Sequence, residues 1–403
     1  MDTLTAMKGV ALGKTGTKPA VALSKRAGLM PRSAIREIMS LAAGRSDVIH
    51  LEVGEPDFGT PSAIIEQAFA AVRQGATRYS GNAGRPSLRA TIAQHASRYG
   101  VPVTPERVIV TVGAIGALFG SLMAIIDPGD EILIPDPGWP NYESIVVLAG
   151  GIPVRYELPE STGFIPDPDK LRVQITSRTK AILLNTPANP TGAVFPAEIV
   201  QAIGAIASET GVYLISDEIY EDIVFEGARH ESFIRHTPED RLFIVSGASK
   251  SYAMTGWRLG WLICPPDAVK VAEKLQEPVV SCAPTPSQVA AEAALKGPQD
   301  CVETGRRLFE KRRDMFLDIL KPAQLAAGNP QGAFYGLVNL TNPDISALDF
   351  ARSLLVERGV AVVPGDTFGP STARMVRIAF TIADDQLAEG LRRIRDALRS
   401  NKA

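Results

Sequence analysis

Through the middle of the chain, short unbroken apolar runs alternate with helix-length stretches. Val108-Ile-Val-Thr-Val112, Glu131-Ile-Leu-Ile134, Ala181 to Leu184, Val212 to Ser216 and Leu242 to Val245 have the length and composition of buried strands. Val154 to Leu158 reads as extended, and Ala114 to Ile126, Asn141 to Ala149 and the stretch from Pro196 read as helices. Continuous apolar strands separated by helices predict a mostly parallel sheet covered on both faces. Sheets of that kind bind ligands at the carboxyl ends of their strands.

The flanks follow other rhythms. Ser33 to Ala43 predicts a helix, Val48 to Val53 a strand, and Gly54-Glu-Pro-Asp-Phe-Gly59 a turn-rich loop. Thr60-Pro61 has the form of a helix start, with a capping hydroxyl and a proline at the first position. That helix ends at Gly75, and a second ends near Gly100. From Pro298 a long charged helix runs through Leu320. Strand Phe334 to Leu340, helix Ile345 to Arg358, strands Ala361 to Val363 and Met375 to Phe380 and a last amphipathic helix follow it. This part predicts a smaller α+β domain.

Composition narrows the function classes. At 403 residues, with 45% hydrophobic and 21% charged positions, the chain has the make-up of a soluble globular protein large enough for two domains. A net charge of -2 gives no general attraction to nucleic acid or anionic lipid. Three cysteines without Cys-x-x-Cys spacing and four scattered histidines point to neither a disulfide framework nor a metal site. No secretory signal or bilayer-length apolar run is evident, so a reduced cytoplasmic compartment is expected.

Candidate chemistry gathers just after the predicted strands. Gly113-Ala114-Ile115-Gly116 opens a helix, whose free N–H groups suit an anion. Trp139, between prolines, could stack on a planar ring, and Asn185-Thr-Pro-Ala-Asn-Pro-Thr-Gly192 could aim an amide, with room for a cis X-Pro bond. Asp217-Glu-Ile-Tyr220 puts a carboxylate at a buried strand end, where it is costly unless it meets a donor or cation. Tyr220 shares its ligand if a helical turn follows. Ser246-Gly-Ala-Ser-Lys-Ser-Tyr-Ala-Met-Thr-Gly-Trp-Arg-Leu-Gly260 then adds an amine, Lys250, among small residues, and a guanidinium, Arg258. Singly, each has a bland structural reading. Together they match the needs of pyridoxal phosphate.

At Gly247 to Gly260, and in the order Asn-Pro-Thr-Gly, Asp-Glu-x-Tyr, Ser-Lys and a late Arg-x-x-Phe, the chain resembles the class I, aspartate-aminotransferase-like pyridoxal-phosphate enzymes of fold type I. The resemblance runs from Leu23 to the last helix. It implies an α/β large domain with a mostly parallel seven-stranded sheet over 61–296. It also implies a small α+β domain from 23–60 and 297–403, and an N-terminal arm over 1–22. Lys250 is similar to the lysine that carries the cofactor and shuttles the proton, and Asp217 to the acid facing the ring nitrogen. Tyr220 and Asn189 resemble the pair on the ring hydroxyl, and Trp139 the aromatic stacked on the ring. Ala114 and Ile115 resemble the phosphate turn, and Arg258 the phosphate arginine. Arg377, with Gly54 and Asn189, resembles the grip on the substrate α-carboxylate. Tyr79 looks like the residue that reaches the neighbouring subunit's phosphate, implying a homodimer with shared active sites.

Two departures bear on function. Many relatives carry a serine where this chain has Gly247, which leaves Ser246 or Ser249 to replace it. Some acidic-substrate relatives have a lysine at the position of Ile115, and others an arginine in the segment matching Val279 to Thr285, which has no cation here. A side-chain pocket lined by Leu29, Met30, Ile115 and Phe334 would favour a neutral or aromatic amino acid. The expected activity is transamination from such an L-amino acid to a 2-oxo acid such as 2-oxoglutarate or pyruvate. The alternatives are an aspartate aminotransferase, a pyridoxal-phosphate lyase of the same fold, and a non-enzymatic regulator that binds the cofactor. No Gly-x-Gly-x-x-Gly turn supports a nicotinamide enzyme.

Overall fold

The computed structural model describes residues 24–28, 30 and 34–400. The expected arm over 1–22 and Leu29 lie outside them. Among the described residues, thirteen strands form three sheets. Seven of them, β2 (Val108–Thr111), β3 (Glu131–Asp136), β4 (Ile152–Glu157), β5 (Thr179–Asn185), β6 (Tyr213–Asp217), β7 (Leu242–Gly247) and β8 (Gly260–Ile263), make the large sheet, in the order β2-β8-β7-β6-β5-β3-β4.

Every pairing in it is parallel except those of β8, which runs against both β2 and β7. β8 is the strand that the hydrophobic pattern does not single out. It reverses the chain, so Gly260 at its start lies opposite Thr111 and Gly247, the residues that end their own strands. Whatever immediately precedes Gly260 therefore returns to the carboxyl edge of the sheet.

The two faces of this sheet explain the unbroken apolar runs. Val108, Val110, Leu133, Ile182, Leu184, Leu214, Leu242 and Ile244 pack into one core. The alternate positions, Ile109, Ile132, Ile134, Ala181, Leu183, Ile215, Phe243 and Val245, pack into another beneath the helices Gly113–Ile125 and Asn141–Ala149. With water on neither face, no polar alternation is required. Each fully buried Leu, Ile or Phe side chain contributes about 1.5–3 kcal/mol by leaving water.

A third core belongs to a four-stranded antiparallel sheet, β12 (Val363–Pro364), β13 (Met375–Ala379), β10 (Tyr335–Asn339) and β9 (Ala326–Ala327), backed by the helices Asp300–Leu320 and Asp384–Ser400. β1 (Ile49–His50) pairs in parallel with β11 (Val360–Ala361). The strand expected over 48–53 shrinks to two residues because the carbonyls beyond it are engaged elsewhere. Those of Glu52, Val53 and Gly54 accept from Arg377, Thr381 and Lys250. Likewise, Thr60 does not cap the helix Ser62–Arg73, which begins after Pro61 with no side-chain cap. Its hydroxyl instead donates to the Ala253 carbonyl (2.7 Å), tying that helix to the loop after Lys250. The stretch 361–363 is split between β11 and β12. Among the described residues no helix is long and apolar enough to cross a membrane.

Candidate active site

The carboxyl ends of β3, β5, β6 and β7 lie side by side, and their following residues wall a cavity of about 330 Å³. Ala114, Ile115, Trp139, Asn189, Asp217, Tyr220, Lys250, Arg258, Gly54 and Arg377 all line it. Tyr79 does not. It stands 89% exposed on the surface.

Lys250 follows β7 on a turn of small residues, and its Nζ donates to the Gly54 carbonyl at 2.8 Å. Burial pushes its amine down to about 8, helped by the nearby Arg377 and Arg258 charges and opposed by Glu55 and Asp217. An amine so placed is largely protonated at pH 7 yet close to giving up its proton.

Asp217, the last residue of β6, is raised to about 6 by burial. The Tyr142 hydroxyl (2.8 Å) and the Ile219 N–H (3.2 Å) donate to its two oxygens and restrain that rise. Asn185, at the end of β5, donates its amide to the Asp217 carbonyl at 2.9 Å and accepts from the Asn189 N–H at 2.8 Å. The bonds Asp136-Pro137, Thr186-Pro187 and Asn189-Pro190 are cis. Tyr220 lies on the turn after β6, as its spacing from Asp217 requires, and its hydroxyl meets that of Tyr335 at 3.0 Å.

The anion end is built where β8 returns. The helix Gly113–Ile125 has no side-chain cap, so its first N–H groups are open to the cavity at Ala114 and Ile115. Arg258 adopts a left-handed backbone, φ 53°, which costs a non-glycine residue about 1–2 kcal/mol. That turn brings its guanidinium over the helix start. A Cβ at Gly113 would sit 2.7 Å from an Arg258 Nη, and Gly113 itself has φ 70°. The two candidate serines separate here. Ser246 donates to Glu221 at 2.8 Å, whereas Ser249 lines the cavity. Gly247 is glycine because β7 and β8 touch at this point. A Cβ there would meet the Gly260 Cα and the Leu259 carbonyl, each at 2.9 Å.

At the opposite end, β13 of the small sheet delivers Arg377. It is fully buried between the rings of Tyr335 (4.6 Å) and Phe368 (5.2 Å), with Asn189 Oδ1 at 3.5 Å and the Glu52 carbonyl as acceptors. Its Nε has no hydrogen-bond partner among the described residues.

Part of the expected side-chain pocket is corrected. Phe334 is fully buried behind Tyr220, packed edge-on at 5.4 Å, and does not reach the cavity, nor does Met30. Ile35 and Met39, from the helix Ala34–Ala42, line it beside Ile115. Tyr142, Tyr335 and Glu52 are wall residues that sequence reasoning missed. Tyr142 lay three residues beyond the singled-out Trp139, and that helical spacing was the available signal.

Residues 46–394 match the model of the family described as aminotransferase class I and II. The chain is 40% identical over 379 residues to an aspartate/prephenate aminotransferase of Thermus thermophilus, covering 92% of this chain and 97% of that protein. It is 35% identical to an aspartate aminotransferase of Pyrococcus horikoshii, over 94% and 98% of the two chains. Among solved structures, the Thermus thermophilus aspartate aminotransferase with maleate superimposes with a TM-score of 0.89 at 39% identity, over 94% and 100% of the chains. An aromatic aminotransferase from Pyrococcus horikoshii gives 0.85 at 35% identity, over 91% and 99%.

Two outcomes follow from this geometry. Gly247→Ser should cost about 1–3 kcal/mol in urea unfolding, because the β7–β8 contact has no room for a side chain. A fully stable variant would refute the close approach. For Asp217, the folded carboxyl holds its proton more tightly than the ordinary value of 3.8. The stability this confers is full below about pH 3.8 and lost as pH rises through about 6. Asp217→Asn should therefore stabilise the cofactor-free protein by about 1–3 kcal/mol at pH 8 and not at pH 3.8. A pH-independent difference would contradict the assignment.

Proposed function

Because the chain belongs to the class I and II aminotransferase family and is a pyridoxal-phosphate-dependent aminotransferase, we propose that this cavity passes an amino group from an L-amino acid to a 2-oxo acid. One observation carries the reading: a depressed amine, a raised carboxyl and a buried guanidinium converge on one cavity. The donor set fits the cofactor at each end. Open helix N–H groups at Ala114 and Ile115, the Arg258 guanidinium and the Ser249 hydroxyl hold the phosphate. Trp139 would stack on the ring, and Asn189 and Tyr220 would hydrogen-bond its hydroxyl, since all three line the cavity.

Bound pyridoxal phosphate supplies an aldehyde for an amine and a ring that draws off the electron pair released at the substrate Cα. With the cofactor bound, Lys250 Nζ would be the amine that holds its aldehyde and the base that moves the proton at the substrate Cα. Its lowered affinity for protons suits that exchange, since the base must be neutral to accept. Asp217 would hold the proton on the ring nitrogen, and the Tyr142 hydroxyl fixes the direction of its carboxylate. Arg377, with Asn189 and the Gly54 segment, grips the α-carboxylate through donors that no other group fully occupies.

The side chain we favour is neutral or aromatic. Among the described lining residues the cations are Lys250, Arg258 and Arg377, each already assigned, while Ile35, Met39 and Ile115 offer apolar surface. Removing a second carboxylate from water there would leave it unpaired. We further assign the active form to a homodimer in which the exposed Tyr79 reaches the partner's phosphate site. The core of the small sheet, drawn mostly from 38–51 and 309–398, supports the domain division at 23–60 with 297–403 against 61–296. Three unpaired cysteines fit a reducing cytoplasm.

Purified protein loaded with pyridoxal phosphate should absorb visible light, and Lys250→Ala should lose both that band and at least a thousandfold in kcat. A variant that keeps the lysine-dependent spectrum refutes the role. In single turnovers, phenylalanine, leucine or alanine should convert the cofactor to its amine form without releasing ammonia. A kcat/KM for aspartate well above all three overturns the side-chain preference.

A further inference from the structure

The acid, the phenol and the amine of the cavity arrive on separate segments. Asp217 and Tyr220 belong to the end of β6 and its following turn, and Lys250 to the turn after β7. The two strands pair as far as Asp217 and Val245, and the Glu218 N–H donates to the Val245 carbonyl at 2.8 Å. Beyond that point side chains join the segments. Glu221 and Asp222, which directly follow Tyr220, each accept from a serine beside Lys250. Ser246 Oγ donates to Glu221 Oε1 and Ser251 Oγ to Asp222 Oδ2, both at 2.8 Å. Ser251 is the next residue after the lysine and Ser246 lies four before it, so the two bonds bracket its turn.

Neither carboxylate lines the cavity. One cation meets the charge of both. Arg98, on the short 3₁₀ turn Ser97–Tyr99, places one Nη 2.9 Å from Glu221 Oε2 and 2.8 Å from Asp222 Oδ1. The Tyr99 hydroxyl also donates to Glu221 Oε2, at 2.6 Å. The Glu221 side chain is 8% exposed, so its charge would be costly without such partners. Each carboxylate thus spends one oxygen on Arg98 and keeps the other for a serine. Hydrogen bonds to an ionised acceptor are stronger and more sharply placed than neutral ones.

We infer that Glu221 and Asp222 are positioning residues for Lys250. Through Ser246 and Ser251 they fix the turn of the amine in register with Asp217 and Tyr220 on their own segment, and Arg98 holds the pair in place. They touch neither cofactor nor substrate. The substrate grip, Arg377, comes from the small sheet and stands outside this clamp. Loosening the clamp therefore weakens what Lys250 Nζ does and spares the binding of the α-carboxylate. The inference rests on the transaminase reading and adds to it what aligns the amine with the acid.

The test uses Ser251→Ala and Ser246→Ala, each of which removes one hydroxyl, and two forms of the cofactor. Pyridoxal phosphate bonds to Lys250, whereas pyridoxamine phosphate has no aldehyde with which to do so. In calorimetric titrations of the cofactor-free proteins, each variant should bind pyridoxal phosphate at least fivefold more weakly than wild type. Pyridoxamine phosphate should bind within twofold of wild type. In single turnovers of the loaded proteins, the maximal rate should fall at least fivefold, with the half-saturating amino acid concentration within threefold. Asp222→Ala should show the same pattern. Combined with Ser251→Ala it should lose no more than twofold beyond the larger single loss, because both changes remove one bond. Equal weakening for both cofactor forms overturns the inference, as does a double variant whose losses multiply. A wild type that takes up no pyridoxal phosphate removes the transaminase reading and this inference together. Wild-type uptake and turnover that persist unchanged in both serine variants remove the clamp alone.

Discussion

The site depends on keeping ionisable groups out of water at the carboxyl edge of one sheet. Asp217 and Arg377 are buried and Lys250 is partly buried, and each is displaced from its ordinary protonation range chiefly by its removal from water. An uncompensated buried charge would be prohibitive. Here the compensation is partial and local. Tyr142 and a backbone N–H serve Asp217, a backbone carbonyl serves Lys250, and two aromatic faces flank Arg377. The remaining need is met by what the cavity binds. This couples ligand binding to stability, and it places the groups under tension that suits proton transfer near neutral pH.

That edge exists because both faces of the sheet are dry. The alternate-face cores hold β2 to β8 rigid, and the loops after the strands inherit that rigidity. The single antiparallel strand matters most for the anion end. By running back, β8 carries Arg258 to the start of the helix Gly113–Ile125, within reach of the turn that Gly113 makes possible. The close contact at Gly247 and Gly260 is the steric condition for that return. It leaves no room for a side chain at position 247, and Ser249 is the hydroxyl that lines the cavity.

The other half of the cavity comes from a different sheet and a loop far away in sequence. Arg377 sits on β13, and the Gly54 loop crosses to give its carbonyl to Lys250, 196 positions later in the chain. Tyr335 joins the halves, with its hydroxyl on Tyr220 and its ring under Arg377, and it fills the space a side chain at position 54 would need. Substrate and cofactor groups are thereby held in one register by packing rather than by either sheet alone.

The sequence by itself determined the fold class, the positions of six large-sheet strands and ten of the residues that line the central cavity. Unbroken apolar runs of strand length have no stable home except a two-faced core, and the chemistry of pyridoxal phosphate requires an ordered set of groups at strand ends. Tertiary structure decided what depends on proximity between distant segments. The direction of β8 turns on a close glycine contact. The early end of β1 and the uncapped start of the helix at Ser62 reflect backbone and hydroxyl groups taken up by Lys250, Arg377 and Ala253. The displacement of Phe334 by Ile35 and Met39 follows from which side of Tyr220 the small-domain core occupies. The partners of Asp217, Glu221 and Asp222 are equally invisible in a linear pattern. Whether a buried polar atom is satisfied is a property of the folded neighbourhood, and no local spacing encodes it.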